Sequence, residues 1–276
     1  MMLTDALPRH DSAMGIGRMP AGARQALILE AVETDGFVSV SHIAANLGVS
    51  EMTIRRDLVV LEERGLLART HGGAVAAAIN PREVFDAEEP AFKRRRHRNA
   101  REKAAIAHAA AALIGPNETV GLDVGTSTLM LAEMIVERAD LRVFTNSLRA
   151  AMILSGSKSP VHVLGGEVRR CEQSVVGSRA VSELANYNLD RVFIGVSGLI
   201  EAGFFDYSIE DSEVKRAFIA RAGKVVILCD SSKFDHRSLA RVCDVAGADL
   251  LVTGAAPPAH LVRALEAANV GVIVAS

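Results

Sequence analysis

Tryptophan is absent from the 276 residues, aromatic side chains make up only 4%, and cysteine occurs three times. So little aromatic bulk argues against an aromatic-rich β-sandwich. It suits the small-residue packing of an α/β protein, because Ala, Val and Leu dominate a chain that is 49% hydrophobic. Cys171, Cys229 and Cys243 are scattered, odd in number and form no CxxC pair, which supports neither a disulfide framework nor a structural zinc site and points to a reducing compartment. No stretch approaches the roughly 20 uninterrupted apolar residues of a membrane span, and Pro8, Arg9, His10 and Asp11 stand where a signal peptide needs an apolar run. No membrane partner is expected, and the protein reads as cytoplasmic. Positive charge is not in excess either, since 31 Lys and Arg meet 33 Asp and Glu. Any contact with nucleic acid must therefore come from a local patch.

What is present is enough chain for about two globular domains. Residues 1–19 carry neither helical nor strand periodicity and read as a disordered leader, with Met14 or Met19 as alternative starts. From Pro20, AGARQALILEAVETDG places Ala23, Leu27 and Ala31 at i, i+4 and i+8 before Gly36, which predicts a helix with that apolar stripe. VSVSHIAANLGVS spaces Ile43 and Leu47 four apart ahead of Gly48, a short second helix closed by a tight turn. Ser50 is placed to cap a third helix, EMTIRRDLVVLEERG, with Ile54, Leu58 and Leu61 as its buried stripe and Gly65 as its stop. Two short helices joined by a Gly turn make a helix-turn-helix. On the third helix Met52, Arg56 and Glu63 lie opposite the stripe. After it, LLART, HGG and AV read as strand, turn and strand, a β-wing. Ser50, Met52, Thr53, Arg55 and Arg56 near the start of the third helix, with Arg69 and His71 on the wing, are the candidate DNA contacts.

The run VSEMTIRRDLVVLEERGLLARTHGGAV closely resembles the helix-turn-helix signature of DeoR-family bacterial transcriptional regulators. The most specific parts are TIRRDL, the spacing of Leu61, Gly65 and Leu67, and RTHGGA. The resemblance implies double-stranded DNA as a partner, contacted by Arg55, Arg56 and the wing of a domain spanning residues 20–75.

Residues 76–101 read as a linker. AAAINPREVFDAEEP has two prolines, clustered acids and no period, and behind it AFKRRRHRNAREK concentrates Lys93, Arg94, Arg95, Arg96, Arg98, Arg101 and Lys103 against Glu102. Two readings stay open. The run lies along DNA phosphates, or it is a solvated linker helix whose arginines pair with Asp86, Glu88 and Glu89.

From residue 102 to 276 the chain alternates. After KAAIAHAAALI come TVGLDV, LRVFT, VHVLG, DRVFIGV, KVVILCD, DLLVTG and VGVIVA, mostly separated by helical segments, which predicts a mostly parallel sheet covered on both faces. Ligands bind such sheets at the carboxyl ends of the strands. The candidate residues there are Asp123, Gly125, Thr126, Ser127 and Thr128, then Thr145 and Asn146, then Gly165 and Gly166, and farther along Lys215, Asp230 and Lys233. A turn of small and hydroxylated residues ahead of a helix offers N–H groups and hydroxyls to one anion, two lysines offset its charge, and Asp123 and Asn146 hold sugar hydroxyls. Neither GxGxxG nor a GKS/GKT phosphate loop occurs, so no dinucleotide or nucleoside triphosphate is indicated.

LDVGTST, TNSL, GGEVR, EVKRAFI and DSSKF also resemble the DeoR-family C-terminal sensor domain. That resemblance implies a fold like ribose-5-phosphate isomerase and a phosphorylated sugar as effector. It also implies a regulator, expected to be a repressor of a carbohydrate-utilisation operon, working as a dimer or tetramer without metal or cofactor. The alternative is an isomerase-like enzyme, since CDSSK is similar to a lysine-bearing motif of those isomerases. GVSGLIEAG stands where their paired-aspartate motif is expected, however, and the proton-transfer carboxylates are missing from it.

Overall fold

The computed structural model describes residues 20–35, 37–69, 73–76, 84–86 and 89–275. These fall into two compact units, one within Met1–Arg69 and Gly73–Ala77 and the other within Ala78–Ser276. The leader expected over residues 1–19 lies outside the described residues.

The first unit runs α1 (Ala21–Asp35), β1 (Phe37–Ser39), α2 (Val40–Leu47), α3 (Glu51–Glu63), β2 (Leu67–Arg69) and β3 (Gly73–Ala76). Gly48, at φ +63°, makes the turn between α2 and α3, and Ser50 caps α3 by accepting a hydrogen bond from the Thr53 N–H. Ile54, Leu58 and Leu61 are buried, as their spacing predicts. The wing strands pair antiparallel, and β1 adds a third strand that the sequence reading missed within the alternating VSVS.

The expected face of α1 is wrong. Leu27 is 41% exposed and Ala23 is exposed, whereas Arg24, Ile28 and Val32, also four apart, point inward. The charged member of this stripe is held by a bidentate pair with Asp57 of α3, its Nη2 3.1 Å from Oδ1, with Gln25 Nε2 adding 3.2 Å to the same oxygen. Removing one partner of a buried pair leaves the other uncompensated. Asp57→Ala is therefore expected to lower the stability of this unit by about 2–3 kcal/mol, somewhat below the cost at a fully enclosed site; chemical denaturation followed by circular dichroism checks it.

The second unit begins earlier than the sequence suggests. β4 (Val84–Asp86) pairs parallel with β14 (His236–Ser238), and α4 (Phe92–His97) buries Phe92 in the core, so residues read as linker belong to this unit. The elements that follow are α5 (Ala100–Ala112), β5 (Thr119–Leu122), α6 (Thr126–Ile135), β6 (Arg142–Thr145), α7 (Leu148–Leu154) and β7 (Val161–Val163). Next come the hairpin β8 (Glu167–Arg169) and β9 (Ser174–Val176), α8 (Ser178–Leu184), β10 (Leu189–Gly195), β11 (Gly198–Ile200), β12 (Gly203–Asp206) and α9 (Ile209–Ala220). The chain ends with β13 (Ala222–Leu228), β14, β15 (Ala240–Cys243), β16 (Leu250–Thr253), α10 (Ala259–Ala267) and β17 (Gly271–Val274). All seven apolar runs form one sheet of order β17-β16-β13-β10-β5-β6-β7, parallel throughout. A smaller antiparallel sheet, β11-β12-β15, stands beside it.

The pleat explains why the central strands are apolar at every position. On β10, Val192 and Ile194 join the core under α8, α9 and α10, while Phe193 joins the core under α5, α6 and α7; on β13, Val225 and Ile227 face the first and Val226 and Leu228 the second. The chain order also fixes where a crevice opens. From β5 the chain steps outward through β6 to β7, then returns to β10 and steps the other way, so β5 and β10 are neighbours whose crossovers diverge.

Candidate functional site

In the first unit α3 presents an outer face that packing leaves free. Met52 is 60% exposed and, among the described residues, Arg56 is exposed with no ion pair and Arg55 pairs only with Glu51, at 3.4 Å along the helix. Ser50 and Thr53 are occupied with each other, their hydroxyls 2.9 Å apart within the cap. Arg69 is not free on the wing, because its Nε and backbone N–H both reach the Glu62 carboxylate, at 2.7 and 3.0 Å. His71 lies outside the described residues.

In the second unit a cavity of about 480 Å³ opens beside the carboxyl ends of β5 and β10. Two glycines allow the close approach there. Gly125 sits at φ +140°, and a Cβ on Gly195 would lie 2.9 Å from the Val124 carbonyl oxygen. α6 starts from Gly125 with no side chain capping its first turn, whereas Ser147 and Ser208 cap α7 and α9. Gly125, Thr126 and Ser127 line the cavity, and no side chain satisfies the N–H groups of this first turn.

Cations complete this side. Lys233 lines the cavity and forms no ion pair among the described residues, and burial pushes its pKa down despite the nearby Asp230. Arg94 and Arg98 line it as well, and neither forms an ion pair among the described residues. Lys103, read as part of a solvated run, is buried and donates to the carbonyls of Arg95 and Arg98, both at 2.6 Å, with Asp230 at 3.6 Å. Burial works to raise the Asp230 pKa, yet a hydrogen bond from Ser232 and the charges of Lys233 and Lys103 hold it below the usual range. The basic run is in part the helix expected, with Lys93, Arg94, Arg96 and Arg98 exposed and Arg95 paired with Glu89, while the side chains of Asp86 and Glu88 lie outside the described residues. Arg94, Arg95 and Arg98 also line the cavity, and Arg96 pairs with Glu133 at 2.8 Å.

Of the twelve residues expected to bind ligand, five line the cavity: Gly125, Thr126, Ser127, Asp230 and Lys233. Lys215, expected to face a phosphate, lies 1% exposed beneath it. It pairs with Asp123 and with Asp206 (3.0 Å) and donates to the Gly195 carbonyl (3.0 Å), so its charge is already neutralised. Burial disfavours its charge, but the carboxylates of Asp123, Asp206 and Asp211 outweigh that and raise its pKa. Asp123 also accepts the Gly195 N–H at 3.1 Å. Thr128 caps back onto the Gly125 carbonyl, Thr145 accepts the Ser147 N–H, and Asn146 donates to the Val175 carbonyl. Gly165 and Gly166 belong to the approach to β8, where the Gly165 N–H is held by Glu183. Sequence reasoning missed the opposite wall. Glu89, Glu172 and Asp211 line it, joined through Arg95 and Arg169: Arg95 to Glu89 at 3.1 Å and to Glu172, Arg169 to Glu89 at 2.7 Å and to Asp211.

Residues 24–79 match the DeoR-like helix-turn-helix domain, and residues 98–255 match the DeoR C terminal sensor domain, which alone spans more than half of the chain. The chain belongs to the DeoR family. It is a helix-turn-helix transcriptional regulator that binds DNA through the first unit and carries an effector-sensing domain in the second. A putative aga operon transcriptional repressor of Escherichia coli O157:H7 is 31% identical over 91% of this chain and 93% of its own length. The glycerol-3-phosphate regulon repressor of Haemophilus influenzae is 30% identical over 87% and 91%. These relatives are regulators, and this DeoR-family chain is a regulator rather than an enzyme. A ribose 5-phosphate isomerase from Methanocaldococcus jannaschii is similar in fold over 49% of this chain and 55% of its own, at 18% identity and a TM-score of 0.38. Among the described residues no helix is long and apolar enough to cross a membrane.

Proposed function

We propose that this DeoR-family protein is a cytoplasmic repressor of a carbohydrate-utilisation operon, released from or recruited to its operator by a phosphorylated sugar in the β5–β10 cavity. The observation that carries the reading is the start of α6, which no side chain caps, opening onto a cavity that also holds Lys233, Arg94 and Arg98, none of them in an ion pair among the described residues. A phosphate dianion satisfies those N–H groups and the cations together. The names of the relatives, which concern an aga operon and a glycerol-3-phosphate regulon, support the same class of effector. A thermal-shift panel of phosphorylated sugars tests it, since a ligand at about 100 times its Kd stabilises by about 2.7 kcal/mol. No stabilisation by any phosphorylated compound would count against it.

DNA recognition is assigned to Met52, Arg55 and Arg56 on α3, with Ser50 and Thr53 shaping its start and Arg69 and His71 on the wing. The heads act in pairs within a homo-oligomer, so the operator repeats with the spacing of the heads. Arg56 is exposed, unpaired and opposite the buried stripe. Arg56→Ala is accordingly expected to weaken specific operator binding by about 1–3 kcal/mol with the fold intact. Gel-shift titration at fixed salt, on duplexes selected from a random pool, is the check; unchanged affinity and discrimination would remove Arg56 from the reading face.

A further inference from the structure

The cavity of the second unit is divided by charge. On the side of β13 and α6, among the described residues Lys103 and Lys233 face one carboxylate, Asp230, and Arg94 and Arg98 form no ion pair. On the side of α9 and the β8–β9 hairpin the balance reverses. Glu89, Glu172 and Asp211 share Arg95 and Arg169, and the adjoining Lys215 already serves both Asp123 and Asp206, so five carboxylates face three cations. Arg149 does not correct this, since its guanidinium lies 4.1 Å over the Phe92 ring and makes no ion pair.

Hydrogen bonding tells the same story. Glu172 and Asp211 are 2% and 1% exposed, both line the cavity, and each keeps one carboxylate oxygen, Glu172 Oε1 and Asp211 Oδ1, without a partner. A buried anionic acceptor left without a donor is costly, so a donor from the ligand is expected there. A sugar hydroxyl fills the lone pairs but leaves the excess negative charge in place. A protonated amine fills both, with charge-assisted bonds of roughly twice the strength. Among the described residues no three His, Cys, Asp or Glu are placed to hold a metal ion, so a metal is not the cation this wall is built for.

We propose that the effector is zwitterionic, a phosphorylated amino sugar or amino polyol whose phosphate takes the α6 side while its protonated primary amine is read by Glu172 and Asp211. The inference rests on the phosphate reading above and adds the group that sets specificity. Burial pushes the Glu172 carboxyl up to about 7 against the pull of Arg95, and an ammonium beside it returns it to the carboxylate.

Calorimetry on the full chain tests this with 2-amino, 2-hydroxy and 2-acetamido hexose 6-phosphates in gluco and galacto forms, and with inorganic phosphate. In at least one configuration the amino compound is expected to bind at least about tenfold tighter than its hydroxyl and acetamido counterparts. In a Glu172→Gln/Asp211→Asn variant, with its fold verified by circular dichroism, that ratio should fall to about one. Should the variant not fold, the comparison on the parent protein decides alone. A hydroxyl or acetamido compound that binds as tightly as the amino one overturns the amine assignment, and so does a folded variant that keeps the preference. In either case phosphate competition would leave the phosphate reading standing. If neither inorganic phosphate nor any of the phosphorylated sugars binds, the reading beneath it falls and the amine assignment falls with it.

Discussion

Lys215→Ala is expected to lower the stability of the sensor unit by about 3–5 kcal/mol, the cost of stranding a buried charge. Lys215 is fully enclosed and is the shared counter-ion of Asp123 and Asp206, so its removal strands the buried Asp123 carboxylate beside the half-buried Asp206. The pH dependence has a definite sign. Burial already pushes the Asp123 carboxyl up to about 7, and losing the facing ammonium pushes it further. A carboxyl whose folded-state pKa lies above its unfolded value binds more protons folded than unfolded between those two values. The variant should therefore regain stability as pH falls from neutral towards the ordinary carboxylate range, and lose it as pH rises. Urea unfolding followed by circular dichroism at several pH values reads both effects. An unchanged midpoint would mean that Lys215 is not the counter-ion, and that its part in ligand binding has to be reconsidered.

The second large effect belongs to the cavity itself. Lys233→Ala is expected to weaken binding of a phosphorylated sugar by roughly 10- to 150-fold, the worth of one hydrogen bond to a charged group at about 1.5–3 kcal/mol. It should leave the unfolding midpoint near that of the parent, because Lys233 makes no ion pair among the described residues and burial lowers its pKa. The contrast with Lys215 is diagnostic: one lysine holds the unit together, the other awaits an anion. Calorimetry with the compound that emerges from the thermal-shift panel measures the loss. Affinity within twofold of the parent would place the phosphate elsewhere.

Much of the fold is legible in the sequence because its causes are local. The strands at the centre of the sheet, β10 and β13, are apolar on both faces of the pleat, so an uninterrupted run such as KVVILCD announces them. Ser50, Gly48 and Gly65 mark the ends of α2 and α3 through caps and turns that involve neighbours in the chain. The readings that fail depend on partners far away. Arg24 is buried only because Asp57 stands 33 residues later, so the periodicity of α1 was assigned to the wrong face. Lys215 looks like a ligand contact until Asp123, 92 residues earlier, is seen to have taken its charge.

The basic run misled for the same reason. Its density points to DNA phosphates or to a solvated helix paired with nearby acids, and although Arg95 does meet Glu89, it takes Glu172, 77 residues on, to make Arg95 a wall of the cavity. Of the candidate site, the glycine turn ahead of α6 and the lysine after β13 could be read in advance, since each is a short motif at a strand end. The acidic wall could not, because Glu89, Glu172 and Asp211 come from three separate segments with no shared pattern.

The claim at the centre of this account is that the free N–H groups at the start of α6, together with Lys233, receive the phosphate of the effector. Amide chemical shifts of the full chain during titration with the phosphorylated sugar selected by the thermal-shift panel test it most directly. The largest shifts are expected at the amides of Gly125, Thr126 and Ser127, saturating together, with a much weaker response at the same concentrations in Lys233→Ala. Saturable binding whose shifts cluster away from these three amides, or that Lys233→Ala leaves untouched, would contradict it.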